Sequence, residues 1–340
     1  MKRFLAGLMS FGLLATGPLA WGDALLINGA GATFPYPIYS KWFDVYHQAH
    51  PDIQFNYQSI GSGGGIRQIT SQTVDFGATD GPMKDADIDS APGYIMHFPT
   101  VLGGVVPVYN IPGVTTNLNF SQKAIAGIFL GNITKWNDPE IQSQNADVKL
   151  PDSPIVVVHR SDGSGTTYCW TDFLTKISTG WSLKVGKGTA VNWPVGLGGK
   201  GNEGVAGLVT QTPNSIGYVE LIYALQNKIN YGNLQNKAGK FVKCSLDSVT
   251  AAAAEASKKM PKDFRVSITN AAGDDAYPAS TFTWLLIYRN PKDKQKGKAL
   301  VDFLNWMLID GQKLTQDLGY APLPQNVVEM EKTAVTKIKL

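Results

Sequence analysis

Cysteine is nearly absent. Cys169 and Cys244 are the only two in 340 residues, which excludes a fold built on a disulfide framework. A single bridge between them stays open, beside the plainer reading of Cys169 as a small buried thiol on the inward side of a helix. Excess charge of one sign is also missing: 30 Lys and Arg stand against 27 Asp and Glu, for a net +3. Without a long basic run, the chain lacks the electrostatic footprint of a nucleic-acid binder. Beyond the first two dozen residues, no stretch reaches the roughly 18 apolar residues that a membrane span needs. Nucleotide and catalytic signatures are missing as well. No G-x-x-x-x-G-K-[ST] occurs, and GGKGN at 198–202 places glycine where the magnesium-binding hydroxyl would stand. His47 and His50 lie three apart without the H-E-x-x-H pattern of a metal site, and His97 and His159 add no motif.

What is present begins with a leader. Lys2 and Arg3 precede an apolar Phe4–Ala20 stretch, and Gly22-Asp23-Ala24 resembles a cleavage site. The pattern is that of a secretion signal over residues 1–24, with a mature chain starting near Leu25 and exported. The remainder is long enough for two domains of common size.

The mature chain alternates. Apolar spacing predicts strands at Leu25–Asn28, Ile53–Tyr57 and Val74–Ala78, separated by helices at Pro37–Ala49 and Ile66–Thr73. After a strand-like Thr100–Asn110 the pattern restarts, with a helix at Ser121–Leu130, a strand at Ile155–His159 and a helix carrying Cys169, Trp170, Phe173, Leu174 and Ile177 on one face. Strand, helix and strand in repetition imply an α/β fold with a sheet of mainly parallel strands, whose ligands sit outside the carboxyl ends of the strands.

Three segments put glycine and hydroxyl residues just before apolar helices: GAGATF at Gly29–Phe34, GSGGG at Gly61–Gly65 and RSDGSGTT at Arg160–Thr167. A helix start offers unpaired N–H groups and the positive end of the dipole, so three such starts suit one small oxyanion. Thr33 and Phe34 are candidate donors from the first segment, Ser62 from the second, and Ser164, Gly165 and Thr166 from the third. Arg160 adds charged donors, and Asp162 is spaced to hold that guanidinium. Asp80 is the odd member, because a carboxylate repels an anion unless the anion brings a proton to donate. Hydrogen phosphate does so and sulfate does not, so Asp80 reads as the element that separates the two.

Longer motifs carry a resemblance. GAGATFPYPIY, IGSGGGIRQI, TVDFGATDGPM, FPTVLGGVVPVYNIPG, RSDGSGTTYCWTDFL, WPVGLGGKGNEGVAG and IGYVE occur in that order. Together they resemble the periplasmic phosphate-binding proteins of high-affinity ABC phosphate importers, across essentially the whole mature chain. The resemblance implies a type II periplasmic binding protein fold with a ligand cleft between two lobes. Lobe 1 would be discontinuous, 25–103 plus 278–340 with LGYAPLP packed back upon it, and lobe 2 would be 104–277. It implies a periplasmic monomer that takes up inorganic phosphate and passes it to permease subunits in the inner membrane, which work with ATPase subunits. No cofactor and no catalysis belong to that role. Carried over position by position, the phosphate-binding residues are Thr33, Phe34, Ser62, Asp80, Arg160, Ser164, Gly165 and Thr166, with Asp162 supporting Arg160. The chain departs from the pattern at Ser62-Gly63 and at Cys244, neither of which alters a ligand side chain.

Two rivals remain: a binder of another tetrahedral oxyanion such as sulfate, and an exported phosphatase or serine hydrolase. Neither Ser62 nor Ser164 lies in G-x-S-x-G, the turn that exposes a hydrolase nucleophile. The purified chain is therefore expected to release no inorganic phosphate from a generic aryl phosphate. Turnover that disappears in Ser164→Ala would place the chain among the enzymes.

Overall fold

The computed structural model describes residues 24–340; the leader pattern of residues 1–23 lies outside the described residues. The first part runs β1 (Leu25–Gly31), α1 (Tyr36–Ala49), β2 (Ile53–Ser59), α2 (Ser62–Thr70), β3 (Phe76–Thr79) and α3 (Asp85–Asp89). Pro35 and Pro37 flank the start of α1, where a fixed φ and a missing N–H do no harm. That helix buries Ile38, Tyr39, Trp42, Phe43 and Tyr46.

α2 begins four residues before the expected Ile66, so the glycines of GSGGG form its first turn rather than a loop. Close packing explains the shift. A Cβ on Gly65 would lie 2.5 Å from Gly31 Cα, so only glycine lets the helix start rest on β1. The consequence is functional: Ser62 becomes the first residue of a helix.

β4 (Ile95–Asn110) is sixteen residues long and leads into the second part. There β5 (Asn119–Phe120), α4 (Gln122–Leu130), α5 (Pro139–Gln142), β6 (Val156–Arg160), α6 (Gly165–Ile177), α7 (Thr179–Lys184), β7 (Leu197–Gly199) and α8 (Gly201–Gln211) follow. Next come β8 (Ser215–Glu220), α9 (Leu221–Gln226), β9 (Asn230–Tyr231), β10 (Asn233–Gln235), β11 (Phe241–Val242) and α10 (Leu246–Lys258). The chain returns through β12 (Ser280–Tyr288) and closes with α11 (Lys294–Met307) and α12 (Gln325–Val335).

The main sheet has the order β2-β1-β3-β12-β4-β8-β6-β7. β4 changes partner along its length: Ile95–Gly104 pairs with β12, and Val105–Asn110 pairs with β8, both antiparallel. The expected, mainly parallel sheet is thus corrected to a mixed one. β1 with β2 and β3, and β6 with β7 and β8, are parallel, as βαβ units require. Where the chain crosses and comes back, β12 lies antiparallel to both β3 and β4.

Two lobes result, each with its own aromatic cluster within one continuous hydrophobic core. In the first, Phe43, Phe55, Phe76 and Phe303 lie 4.7–6.1 Å apart between ring centres. In the second, Trp170 stacks on Tyr218 at 5.4 Å, beside Phe129 and Trp193. The carboxyl-terminal segment packs back on β4 and on the connection between β1 and α1. Leu102 and Ala321 exchange two backbone hydrogen bonds of 3.0 Å, and Tyr320 hydroxyl donates to Phe34 O at 2.6 Å. Cys169 and Cys244 are both buried and both free, so the bridge left open by the sequence is not made. Among the described residues, no helix is long and apolar enough to cross a membrane.

A buried carboxylate ties α6 to the loop before β12. Asp172, 1% exposed, accepts from Lys187 Nζ at 2.6 Å, Ser267 Oγ at 2.6 Å and Thr269 Oγ1 at 2.5 Å. Burial opposes its charge, yet these donors and the Lys176 ammonium push its pKa down to about 2. A depressed carboxyl stabilises the fold above its unfolded value, and that contribution fades as pH falls from about 4 towards 2. Asp172→Asn is expected to cost roughly 2–3 kcal/mol at neutral pH. In thermal melts followed against pH, its deficit relative to the unsubstituted chain should shrink below pH 4.

Candidate anion-binding site

The three glycine-hydroxyl segments converge at the junction of the lobes. Thr33 and Phe34 lie between β1 and α1, Ser62 opens α2, and Asp80 follows β3. From the other lobe, Arg160 ends β6, Ser164 caps α6 by accepting from Thr167 N at 3.0 Å, and Gly165 and Thr166 form its first turn. Thr33, Phe34, Ser62, Asp80, Arg160, Ser164 and Thr166 are each 3% exposed or less. An open groove of about 870 Å³, lined by Tyr36, Lys41, Glu203 and Tyr223, flanks this junction on the outside.

Contacts across the junction are direct. Ser62 Oγ accepts from Gly165 N at 3.0 Å and from Asp80 N at 3.2 Å, and Gly63 N donates to Gly163 O at 2.8 Å. A Cβ on Gly165 would lie 2.5 Å from both Asp80 Oδ2 and Ser62 Oγ, so the approach of α6 to Asp80 demands glycine. Ser164 N–H is committed to Thr189 O at 2.7 Å, which leaves Ser164 its hydroxyl hydrogen as donor. Arg160 is gripped by Asp162 through Nε to Oδ1 at 2.8 Å and Nη2 to Oδ2 at 2.5 Å, with side-chain exposures of 1% and 13%. The Arg160 and Asp162 charges cancel nearly in place. Burial works against the Asp162 carboxylate, but the hydrogen bonds and charge of Arg160 and the Gly201 N–H hold its pKa below the usual range. Two of the guanidinium's five N–H groups bind Asp162 and a third reaches Thr166 Oγ1 at 3.4 Å; two are left for a ligand.

Asp80 stands apart from these donors. Its Oδ1 accepts from Thr283 Oγ1 at 2.8 Å, while Oδ2 is buried with no hydrogen-bond partner among the described residues. Burial raises the carboxyl to about 7, against the opposing pull of the Thr283 hydrogen bond, the Arg160 charge and Ser62. An orphaned buried carboxylate oxygen costs about 1–3 kcal/mol or more, and a proton supplied by a ligand removes that penalty.

Residues that the sequence reading did not assign complete the site. Tyr223 hydroxyl donates to Thr33 O and Tyr320 hydroxyl to Phe34 O, each at 2.6 Å. Because the peptide is planar and trans, pinning Thr33 O turns Phe34 N–H the opposite way. Thr283 orients Asp80, and Asn202 bonds to Thr33 and Thr166. Tyr320 and Asn202 stand inside the LGYAPLP and GGKGNEG segments noted above, but nothing local announces their partners.

The chain is similar to known proteins over most of its length. Residues 20–310 match the PBP superfamily domain. The phosphate-binding protein PstS of Pasteurella multocida is 47% identical over 308 residues, covering 90% of this chain and 89% of that one. Its counterpart from Haemophilus influenzae is 44% identical, over 95% and 96% of the two chains. Among solved structures, a high-affinity periplasmic phosphate-binding protein (PfluDING) with bound phosphate superposes with a TM-score of 0.72 at 21% identity. That alignment covers 91% of this chain and 93% of that one, and it shows a shared fold.

The tight approach at Gly165 is open to test. Gly165→Ala should wedge α6 away from Asp80 and Ser62, lowering the affinity for a tetrahedral oxyanion by about 100-fold or more. Calorimetric titration with phosphate checks this, with thermal melts to show that the variant is folded at the titration temperature.

Proposed function

This chain belongs to the PBP superfamily, and from that membership we propose that it is an extracytoplasmic receptor that closes two lobes on one inorganic phosphate ion. The observation that carries the reading is Asp80 Oδ2, a buried acceptor without a partner among the described residues, set among converging donors. Thr33, Phe34, Ser62, Arg160, Ser164 and Thr166 supply hydrogen bonds to unprotonated oxygens, Gly165 N–H donates to Ser62 Oγ and so leaves that hydroxyl its hydrogen for the ligand, and Asp80 takes the hydrogen of the protonated oxygen. Asp162 keeps Arg160 in place. Closing the lobes completes the shell, since Thr33, Phe34, Ser62 and Asp80 come from one side and the other four from the opposite side.

The lobes are assigned as 25–103 with 278–340, and 104–277. Support comes from the partner exchange of β4 at Gly104 and Val105 and from the return strand starting at Ser280. A single copy contains every member of the site, which favours a monomer. The leader pattern supports a periplasmic location, and the collinear motifs noted in the sequence support delivery of phosphate to an ABC permease in the inner membrane with its ATPase subunits. Ser62 and Ser164 are read as ligand donors rather than nucleophiles. Their oxygens accept from backbone N–H groups, with no histidine bonded to either among the described residues, so general-base activation has no visible source.

Calorimetry against pH tests the role of Asp80. Phosphate should bind one to one, whereas sulfate, which carries no proton, needs Asp80 to be protonated. Its weak affinity should therefore rise about tenfold per unit as pH falls from 9 to about 7, then level off below the Asp80 pKa. Asp80→Asn should admit sulfate without this pH dependence. Sulfate binding at pH 8 as tight as phosphate would overturn the assignment.

A further inference from the structure

Asn202 is wholly buried at the second position of α8 and touches donors and acceptors on both sides of the cleft. Its Oδ1 accepts from Glu220 N at 3.0 Å, which settles the orientation of the amide, because the nitrogen must then face the other way. Nδ2 donates one hydrogen to Thr33 Oγ1 at 2.7 Å and the other to Thr166 Oγ1 at 3.1 Å. The backbone N–H of Asn202 adds a second bond to Thr33 Oγ1 at 3.2 Å.

A hydroxyl has two lone pairs and one hydrogen. Both lone pairs of Thr33 Oγ1 are filled by Asn202, and those of Thr166 Oγ1 are filled by Asn202 and by Arg160 Nη1. Each hydroxyl is left with one capacity, to donate. Resting on the phosphate-receptor reading above, we propose that Asn202 is a positioning residue that turns Thr33 and Thr166 into obligate donors and thereby sets which ligand oxygens must be free of protons. It acts on both lobes at once, so it also fastens the closed state.

The same helix start governs the charged part of the site. Gly201 N, one residue earlier, donates to Asp162 Oδ1 at 3.0 Å, and Asp162 holds Arg160. One turn of α8 thus orients the arginine through a carboxylate and two threonines through an amide. Ser62 meets the same condition by another route, since Asp80 N and Gly165 N fill its lone pairs. With three hydroxyls confined to donation, Asp80 Oδ2 is left to receive the ligand's proton.

The test is phosphate calorimetry on the full mature chain at pH 8, with thermal melts run on each variant. Asn202→Ala, which frees both hydroxyls to rotate, should weaken binding about tenfold. Asn202→Asp keeps the shape but replaces the donor with an acceptor that draws the threonine hydrogens inward, and it should weaken binding about 100-fold. A role in packing alone predicts the reverse order. The orienting role has a further signature in a double-mutant cycle. Combined with Thr33→Val, Asn202→Ala should lose at least about threefold less than the product of the two separate losses. Affinity within twofold of the unsubstituted chain for Asn202→Ala, or full multiplicativity in the cycle, overturns the proposal while leaving the receptor reading intact. Failure of the unsubstituted chain to bind phosphate overturns both.

Discussion

One buried carboxylate oxygen sets the terms for the site. Asp80 Oδ2 is buried at the approach of Gly165 and Ser62, and it has no hydrogen-bond partner among the described residues. In water such an oxygen is solvated at no penalty. Here burial raises the carboxyl to about 7, and the oxygen lacks a hydrogen bond among the described residues. A ligand with one proton and several bare oxygens satisfies acceptor and donors together. An ion of the same size and charge without the proton leaves two acceptors face to face, and discrimination between them comes from this mismatch rather than from size.

The remaining architecture serves to bring donors to that oxygen without placing net positive charge there. α1, α2 and α6 each direct their amino ends to the junction, so partial charges on backbone N–H groups do much of the work. Arg160 is largely neutralised by Asp162, which leaves its geometry more useful than its charge. Rigidity comes from anchors outside the shell: Tyr223 and Tyr320 fix the Thr33 and Phe34 carbonyls, Thr283 fixes Asp80, and Asn202 fixes two hydroxyls. Donors held this way need little reorganisation on binding, which is where preorganised sites gain affinity.

The parts of this design visible in sequence are those written locally. Glycine-hydroxyl turns before apolar helices disclosed Thr33, Ser62 and Ser164–Thr166, and a two-residue spacing disclosed the Arg160–Asp162 pair. Strand and helix alternation disclosed the fold class, while long collinear motifs disclosed the family. What stayed hidden depends on contacts between distant residues. Asn202 meets Thr33 from 169 residues away, Tyr223 from 190, and Tyr320 meets Phe34 from 286. No periodicity encodes such pairs. The direction of β12 was hidden for the same reason, because its neighbours follow from where the chain re-enters the first lobe. The early start of α2 depended on a backbone contact between Gly65 and Gly31 that a row of glycines does not reveal.

The most direct test replaces the hydroxyl of the ligand and nothing else. Fluorophosphate is a tetrahedral dianion close to hydrogen phosphate in size, with fluorine where the protonated oxygen stands. In competition calorimetry at pH 8, one unit above the Asp80 carboxyl, the account predicts that it binds at least about tenfold more weakly than phosphate, because Asp80 then has no proton to accept and must itself be protonated first. Equal affinity for the two ions would contradict it.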